Sequence, residues 1–251
     1  MNDIAIERIY RRHIRLDAHG RQVAGELADD AQHFRVRLRH DGTRVIALDG
    51  EAVRHPWSTC AEAREPLREL EGMRLSRRCT AVGEVSNARH HCTHWFDLAG
   101  LAVAHAAAAR ASREYRCAVW GAPGATTTAT LERDGDPLLV WRLDGMTIRG
   151  AAPFDGRTLK GEFMAWAEAE LEPDLAEAAI VLRRATYISP VRFFDLDQYE
   201  RPGDVTPIGG QCFTYTDGPA QRAERRIGSL RDYTHRPEAL LAEAPFEPDR
   251  A

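Results

Sequence analysis

A chain of 251 residues with 43% apolar and 29% charged side chains carries enough apolar surface for a substantial core. Its 34 basic residues, all arginine except Lys160, are outnumbered by 38 acidic ones, and no block of like charge reads as a nucleic-acid arm. No segment approaches a membrane span, Met1–Arg8 lacks the apolar run of a signal peptide, and the cysteines never form Cys-x-x-Cys. The expectation is a cytoplasmic protein with reduced thiols that binds neither membrane nor nucleic acid.

His13, Arg15 and Asp17 alternate with Ile14 and Leu16, which predicts a first strand with three polar groups on one face. Val23, Gly25 and Leu27, then Phe34, Val36 and Leu38, repeat at period two and predict two more strands. Asp41-Gly42 marks a hairpin leading into a strand over 44–48, and Asp49-Gly50 sets off a further short strand through Val53. His55-Pro56-Trp57 closes that strand and offers Ser58 or Thr59 as the cap of a helix over about 60–70, stopped at Gly72. A second helix is predicted over 93–112; apolar nearly all round and rich in alanine, it belongs in the middle of the fold. Strands follow at 116–120, 126–133 and 138–143, helices near 157–169 and 173–185, and one more strand at 211–215.

Two stretches parallel each other. Residues 34–42 lead to Leu48-Asp49-Gly50 and Val53-Arg54, and residues 129–135 lead to Leu143-Asp144-Gly145 and Ile148-Arg149. The expected fold is therefore a single α+β domain over residues 1–235, an antiparallel sheet packed with helices in two similar strand-then-helix halves, with a loosely ordered tail over 236–251. The competing explanation is coincidence, because Asp-Gly is common hairpin punctuation.

The strongest candidate site is the helix entry His90-His91-Cys92-Thr93-His94-Trp95-Phe96-Asp97. On a helix His94, Asp97, Leu98, Leu101 and His105 share one stripe, with Trp95 and Phe96 beside it. A carboxylate three residues from an imidazole fixes its tautomer and raises its basicity, which makes His94 with Asp97 a candidate general base; a helix cap or a satisfied polar contact is the alternative. Cys92 sits where the positive end of the helix dipole lowers a thiol pKa, unless it is simply a buried small residue. His105 reads as a hydrogen-bonded core histidine. His13 and Arg15 either line a pocket for an anionic or phenolic group or form the solvated face of an edge strand.

His90, His91, Cys92 and His94 are all acceptable zinc ligands, but His-Glu-x-x-His is absent and adjacent ligands in one turn cannot all point at one ion. His13, His40 or His55 would have to complete such a site, so neither metal nor cofactor is expected. Gly-x-Gly-x-x-Gly, a Walker loop and Gly-x-Ser-x-Gly are also absent, which leaves nucleotide binding and serine hydrolysis without support.

Cys92-Thr93-His94-Trp95 at a helix start, after Asp-Gly hairpins and a helix start containing Cys60, resembles the domain-of-unknown-function family 2889 over roughly residues 8 to 115. Relatives commonly carry Leu in place of Trp95 and vary over 97–99. Some look linked to bacterial breakdown of lignin-derived aromatics, where hydroxymethyl groups leave as formaldehyde. The resemblance implies a cofactor-independent carbon–carbon lyase acting on a hydroxymethyl-bearing phenolic dimer. In that reading His94 with Asp97 is the base, Arg15 or His13 stabilises the developing anion, and His91, Trp57, Trp95 and Phe96 bind the small aromatic substrate. The alternatives are a non-catalytic ligand-binding or assembly protein, whose sheet serves a homo-oligomer interface, and a His-ligated metalloenzyme.

Overall fold

Alternation along the first strand decides which face of the sheet is covered. Tyr10, Arg12, Ile14 and Leu16 are buried, and Arg11, His13, Arg15 and Asp17 between them are half-buried. A computed structural model describes residues 8–121, 124–205 and 212–242. Its strands are β1 (Tyr10–His19), β2 (Gln22–Asp29), β3 (His33–His40), β4 (Val45–Arg54), β5 (Ser112–Trp120), β6 (Thr127–Arg133), β7 (Asp136–Asp144) and β8 (Thr147–Arg149). They form one antiparallel sheet in the order β4-β3-β2-β1-β5-β6-β7-β8, so two four-strand meanders meet where Ile14 of β1 faces Tyr115 of β5. The fold is α+β.

Helices α1 (Thr93–Ala107) and α3 (Pro173–Ile188) lie on the face carrying Ile14, Leu27, Phe34 and Tyr115. Helix α1 covers β2 and β3, α3 covers β5 and β6, and α2 (Phe163–Glu170) packs on α3. A 3-10 helix, Ser58–Leu70, lies against β4. Gly50 allows this closeness, since an added Cβ there would stand 2.9 Å from the Trp95 ring and 3.0 Å from Leu67. Gly100 does the same for α1, because a Cβ would come within 2.1 Å of the Cys79 carbonyl oxygen.

Several expectations are corrected. Asp49-Gly50 is not a turn: β4 runs through it to Arg54, and Gly50 is needed for close packing. The two halves recur in the sheet order, and Gly42 (φ +101°) and Gly135 (φ +92°) both lie in hairpin turns, β3–β4 and β6–β7, but the second Asp-Gly pairs do not correspond, since Asp49-Gly50 lies inside β4 and Gly145 (φ +58°) in the β7–β8 turn. The residue before the 3-10 helix is Trp57 and no side chain caps it; Ser58 Oγ instead accepts from the Glu224 N–H. Helix α1 ends at Ala107 because Ala109 takes φ +51° and turns the chain into β5. Residues 157–162 are not helical, and Phe213–Tyr215 is a 3-10 turn rather than a strand, with Gln211 outside the described residues. Within the segment read as a tail, Leu240 packs against Ala28 and Tyr233; residues 243–251, like residues 1–7 read for a signal, lie outside the described residues. Among the described residues no helix is long and apolar enough to cross a membrane.

Candidate active site

Asp29 ends β2 and shapes the turn to β3, its Oδ1 accepting from the N–H groups of Ala31 (2.9 Å) and Gln32 (3.0 Å). That use of one oxygen aims the other at the helices. Oδ2 accepts from Tyr10 OH at 2.7 Å, from Arg12 Nη2 at 2.8 Å and from His94 Nε2 at 3.0 Å. Arg12 Nε also donates to Tyr10 OH at 3.0 Å. All four side chains are buried. Burial alone would raise the Asp29 pKa, but the neighbouring His94 and Arg12 and the donated hydrogen bonds hold it far below the ordinary carboxylate range. Burial likewise carries Tyr10 well above its usual value and keeps it a neutral donor.

His94 Nε2 also lies 2.9 Å from Arg12 Nη2, which is committed to Asp29. With a carboxylate at 3.0 Å, the neutral ring carries its proton on Nε2 and donates it to Asp29. The basic nitrogen is then Nδ1, whose near neighbour is Thr93 Oγ1 at 3.4 Å.

His94 lines a cavity of about 430 Å³ between α1, the end of α3 and the segments around Trp57 and Thr214. Its apolar walls include Trp57, Tyr187, Ile188, Val191, Phe194 and Tyr215. Trp57 Nε1 donates to Tyr215 OH at 3.0 Å, which fixes two of these rings edge to face. Arg12, Asp97, Arg183 and Arg184 supply the charged lining, and Arg184 Nη2 bonds Asp97 Oδ1 at 3.0 Å.

Of the predicted site residues, His94, Asp97 and Trp57 line this cavity. His94 and Asp97 do not pair: His94 turns to Asp29 on the sheet and Asp97 to Arg184 on α3, each meeting a better-placed partner of opposite character. Trp95 is core, packed on Phe34 at 4.6 Å with its N–H on the Arg35 carbonyl. Phe96 stacks on His91 at 4.4 Å, and His91 Nε2 lies 2.7 Å from Ser86 Oγ, so both serve packing. His13 and Arg15 lie on the opposite face of the sheet, where His13 meets Glu114 and Arg15 meets Glu26 at 3.1 Å. Strand parity separates them from His94, and Arg12 takes the place assigned to Arg15.

Cys92 is buried, and burial raises its thiol pKa well above the ordinary value, outweighing the helix dipole. His105 is fully buried and pushed down to about 4 by burial. His90 is exposed, His91 turns to Ser86 and His94 to Asp29, so these rings do not converge; among the described residues no three His, Cys, Asp or Glu side chains gather to hold an ion.

Sequence reasoning missed Tyr10, Arg12, Asp29, Arg183 and Arg184. One signal was present, because Arg12 is the single charge on the inward parity of Tyr10, Ile14 and Leu16. Asp29 followed by Asp30 reads only as turn chemistry. No family model matches the chain, and a search of curated proteins finds no match.

Proposed function

We propose that the chain is a cofactor-independent carbon–carbon lyase that releases formaldehyde from a hydroxymethyl-bearing phenolic dimer, with His94 as the base and Asp29 orienting it. The observation that carries this reading is the buried Tyr10–Arg12–Asp29–His94 cluster opening onto an aromatic-lined cavity. At about 430 Å³ the cavity has the size of a small-molecule site and suits a two-ring compound. The resemblance of Cys92-Thr93-His94 to the motif of family 2889 supports the same reading. The five free cysteines fit a reducing, cytoplasmic setting.

The chemistry closes without an external reagent. His94 Nδ1 takes the hydroxymethyl O–H proton, and the freed oxygen pair forms the formaldehyde carbonyl as the C–C bond breaks. The pair from that bond forms a C=C bond with the next carbon and expels that carbon's aryl ether oxygen, which belongs to a ring joining the two aryl units, so the ring opens and both aryl groups stay in one product. The phenoxide then takes the proton back from His94. Asp29 stabilises the imidazolium between these steps, and the guanidinium of Arg12 or Arg184 is placed to meet developing oxygen charge.

The test follows formaldehyde and the unsaturated diaryl product together, from a hydroxymethyl-bearing phenolic dimer with chelator present. Equal amounts of the two are expected. His94→Gln should lower turnover by about 10²–10⁴-fold while the melting curve stays cooperative. If no such dimer releases formaldehyde, the lyase reading fails; a dimer that raises Tm without turnover would make this a binding protein.

A further inference from the structure

The charges around the cavity do not cancel. Arg12 is neutralised by Asp29 at 2.8 Å and Arg184 by Asp97 at 3.0 Å. Arg183 remains. It is 8% exposed and lines the cavity, with Nε donating to the Leu159 carbonyl at 2.7 Å, Nη1 3.8 Å from Met164 Sδ, and its guanidinium 4.4 Å from the Tyr187 ring centre. A carbonyl, a thioether and a ring face each soften a cation's desolvation, but none carries a full negative charge. Among the described residues no carboxylate lies within ion-pair distance of Arg183, although Arg184 beside it has one. Burial, reinforced by the Arg184 charge, lowers the Arg183 pKa, and the neighbouring Tyr187 and the charge of Asp97 offset this only in part.

We infer that the cavity selects aromatic ligands bearing one negative charge, and that Arg183 holds that charge. The inference rests on reading this cavity as the substrate site. Arg183 and Arg184 belong to α3, and His94 and Asp97 to α1, so the anion binds on one helix and the reacting group meets the base on the other. The ligand completes the ion pair that the protein leaves open. A carboxylate meets the requirement at neutral pH unaided, and a phenolate meets it once the cation has lowered the phenol's pKa; the shared chemistry is a single anionic oxygen group on an aromatic frame. Arg183 would thus be a specificity residue.

The experiment titrates 4-phenoxybenzoate and its neutral isostere 4-phenoxybenzamide calorimetrically into the full chain, then into Arg183→Met and Arg183→Lys. The unaltered protein should bind the acid at least about tenfold more tightly than the amide, as a hydrogen bond to a charged group implies. Arg183→Met should lose that preference whatever its ligand-free Tm, because removing the buried charge and removing the hydrogen bond to Leu159 act in opposite senses, and Arg183→Lys should keep most of the preference. A merely structural arginine tying α3 to Leu159 would instead show an unchanged acid-to-amide ratio in both variants. Repeating the titration with 4-phenoxyphenol across its ionisation separates the phenolate source from the carboxylate one. Equal affinity for acid and amide, no binding of either, or a preference surviving in Arg183→Met overturns the inference. If Arg183→Met does not fold, the isostere ratio in the unaltered protein and in Arg183→Lys decides alone. Formaldehyde release from the phenolic dimer accompanied by equal acid and amide affinity would sink the charge assignment and leave the lyase standing; absence of release with a strong acid preference would do the reverse.

Discussion

The two faces of the β1–β3 sheet carry nearly the same cluster. On the helical face Asp29 holds His94 and Arg12; on the other Glu26 holds His33 at 2.9 Å and Arg35 at 2.7 Å, with Arg15 at 3.1 Å. Both carboxylates are fully buried, and in both the bonded histidine and arginine outweigh burial and lower the pKa. Residues 26 and 29 lie three apart on β2, so strand parity sends them to opposite faces. What differs is the surroundings of the histidine: His94 lines the large cavity, and His33 and Glu26 do not. A buried carboxylate–histidine–arginine cluster is thus as readily a structural tie as a reactive site, and access to a ligand decides between them.

The sharpest way to break this comparison is to remove one charge on each face. Asp29→Asn should destabilise by about 3–5 kcal/mol, because it strands the buried Arg12 guanidinium, and Glu26→Gln by less, because Arg35 keeps Glu51 at 3.5 Å. Only Asp29→Asn should also lower formaldehyde release per folded molecule, by about 10²–10⁴-fold, through loss of the group that fixes the His94 tautomer. Chemical denaturation gives the first number and turnover at a temperature where both variants are folded gives the second. Comparable turnover losses in the two variants would mean that the cavity face has no special role.

A second test compares the two carboxylates nearest His94. Asp97 was legible in the sequence as the partner of His94, and Asp29 was not, yet the hydrogen bond belongs to Asp29. Asp97→Asn should therefore reduce turnover less than about tenfold, the scale of a partly exposed ion pair. It should also tighten binding of aromatic carboxylates, since Arg184 loses its neutralising partner. A turnover loss matching Asp29→Asn would restore Asp97 as the orienting group.

The same contrast explains what the sequence disclosed. Period-two alternation at His13–Asp17, at Val23–Leu27 and at Phe34–Leu38 was enough to find the strands, and the alanine-rich run after Thr93 was enough to find the central helix, because local periodicity reports burial directly. The helix entry was legible for the same reason, and His94 with it. The partners of His94 were not, since Asp29 lies 65 residues away and Arg12 lies 82 residues away. Spacing along a helix proposes neighbours only within that helix. It therefore named Asp97 for a role that the sheet fills, and Trp95 and Phe96 for walls that come from Phe194 and Tyr215 beside Trp57, which was also named.

The smallest effect separates Asp29 from its neighbour Asp30, which lies in the turn after β2 and accepts from the Arg11 N–H at 3.4 Å. Burial, reinforced by the charge of Asp29, pushes Asp30 up to about 7, whereas Asp29 is held low. A carboxyl whose folded pKa is raised contributes stability that is present below its ordinary value of 3.8 and is lost as pH rises through about 7. His91 and His105 act in the opposite sense: burial lowers both from 6.5 to about 4, so their contribution is present above 6.5 and is lost as pH falls through about 4. Between pH 4 and 6.5 the unfolded chain binds the extra histidine protons and the folded chain keeps the Asp30 proton, and the slopes oppose. Each group contributes about 1.4 kcal/mol per pH unit in its window. Urea denaturation at intervals from pH 4 to 7 should then show His105→Gln flattening the rise of stability with pH by one such slope, and Asp30→Asn steepening it by the same amount. In Asp29→Asn the Asp30 carboxyl loses a repelling charge and its window should contract toward 4, which an NMR titration of Asp30 would read directly. An Asp30 pKa that does not move on Asp29→Asn would mean that the two carboxyls are electrostatically independent, and that the charge of Asp29 is spent entirely on Arg12 and His94.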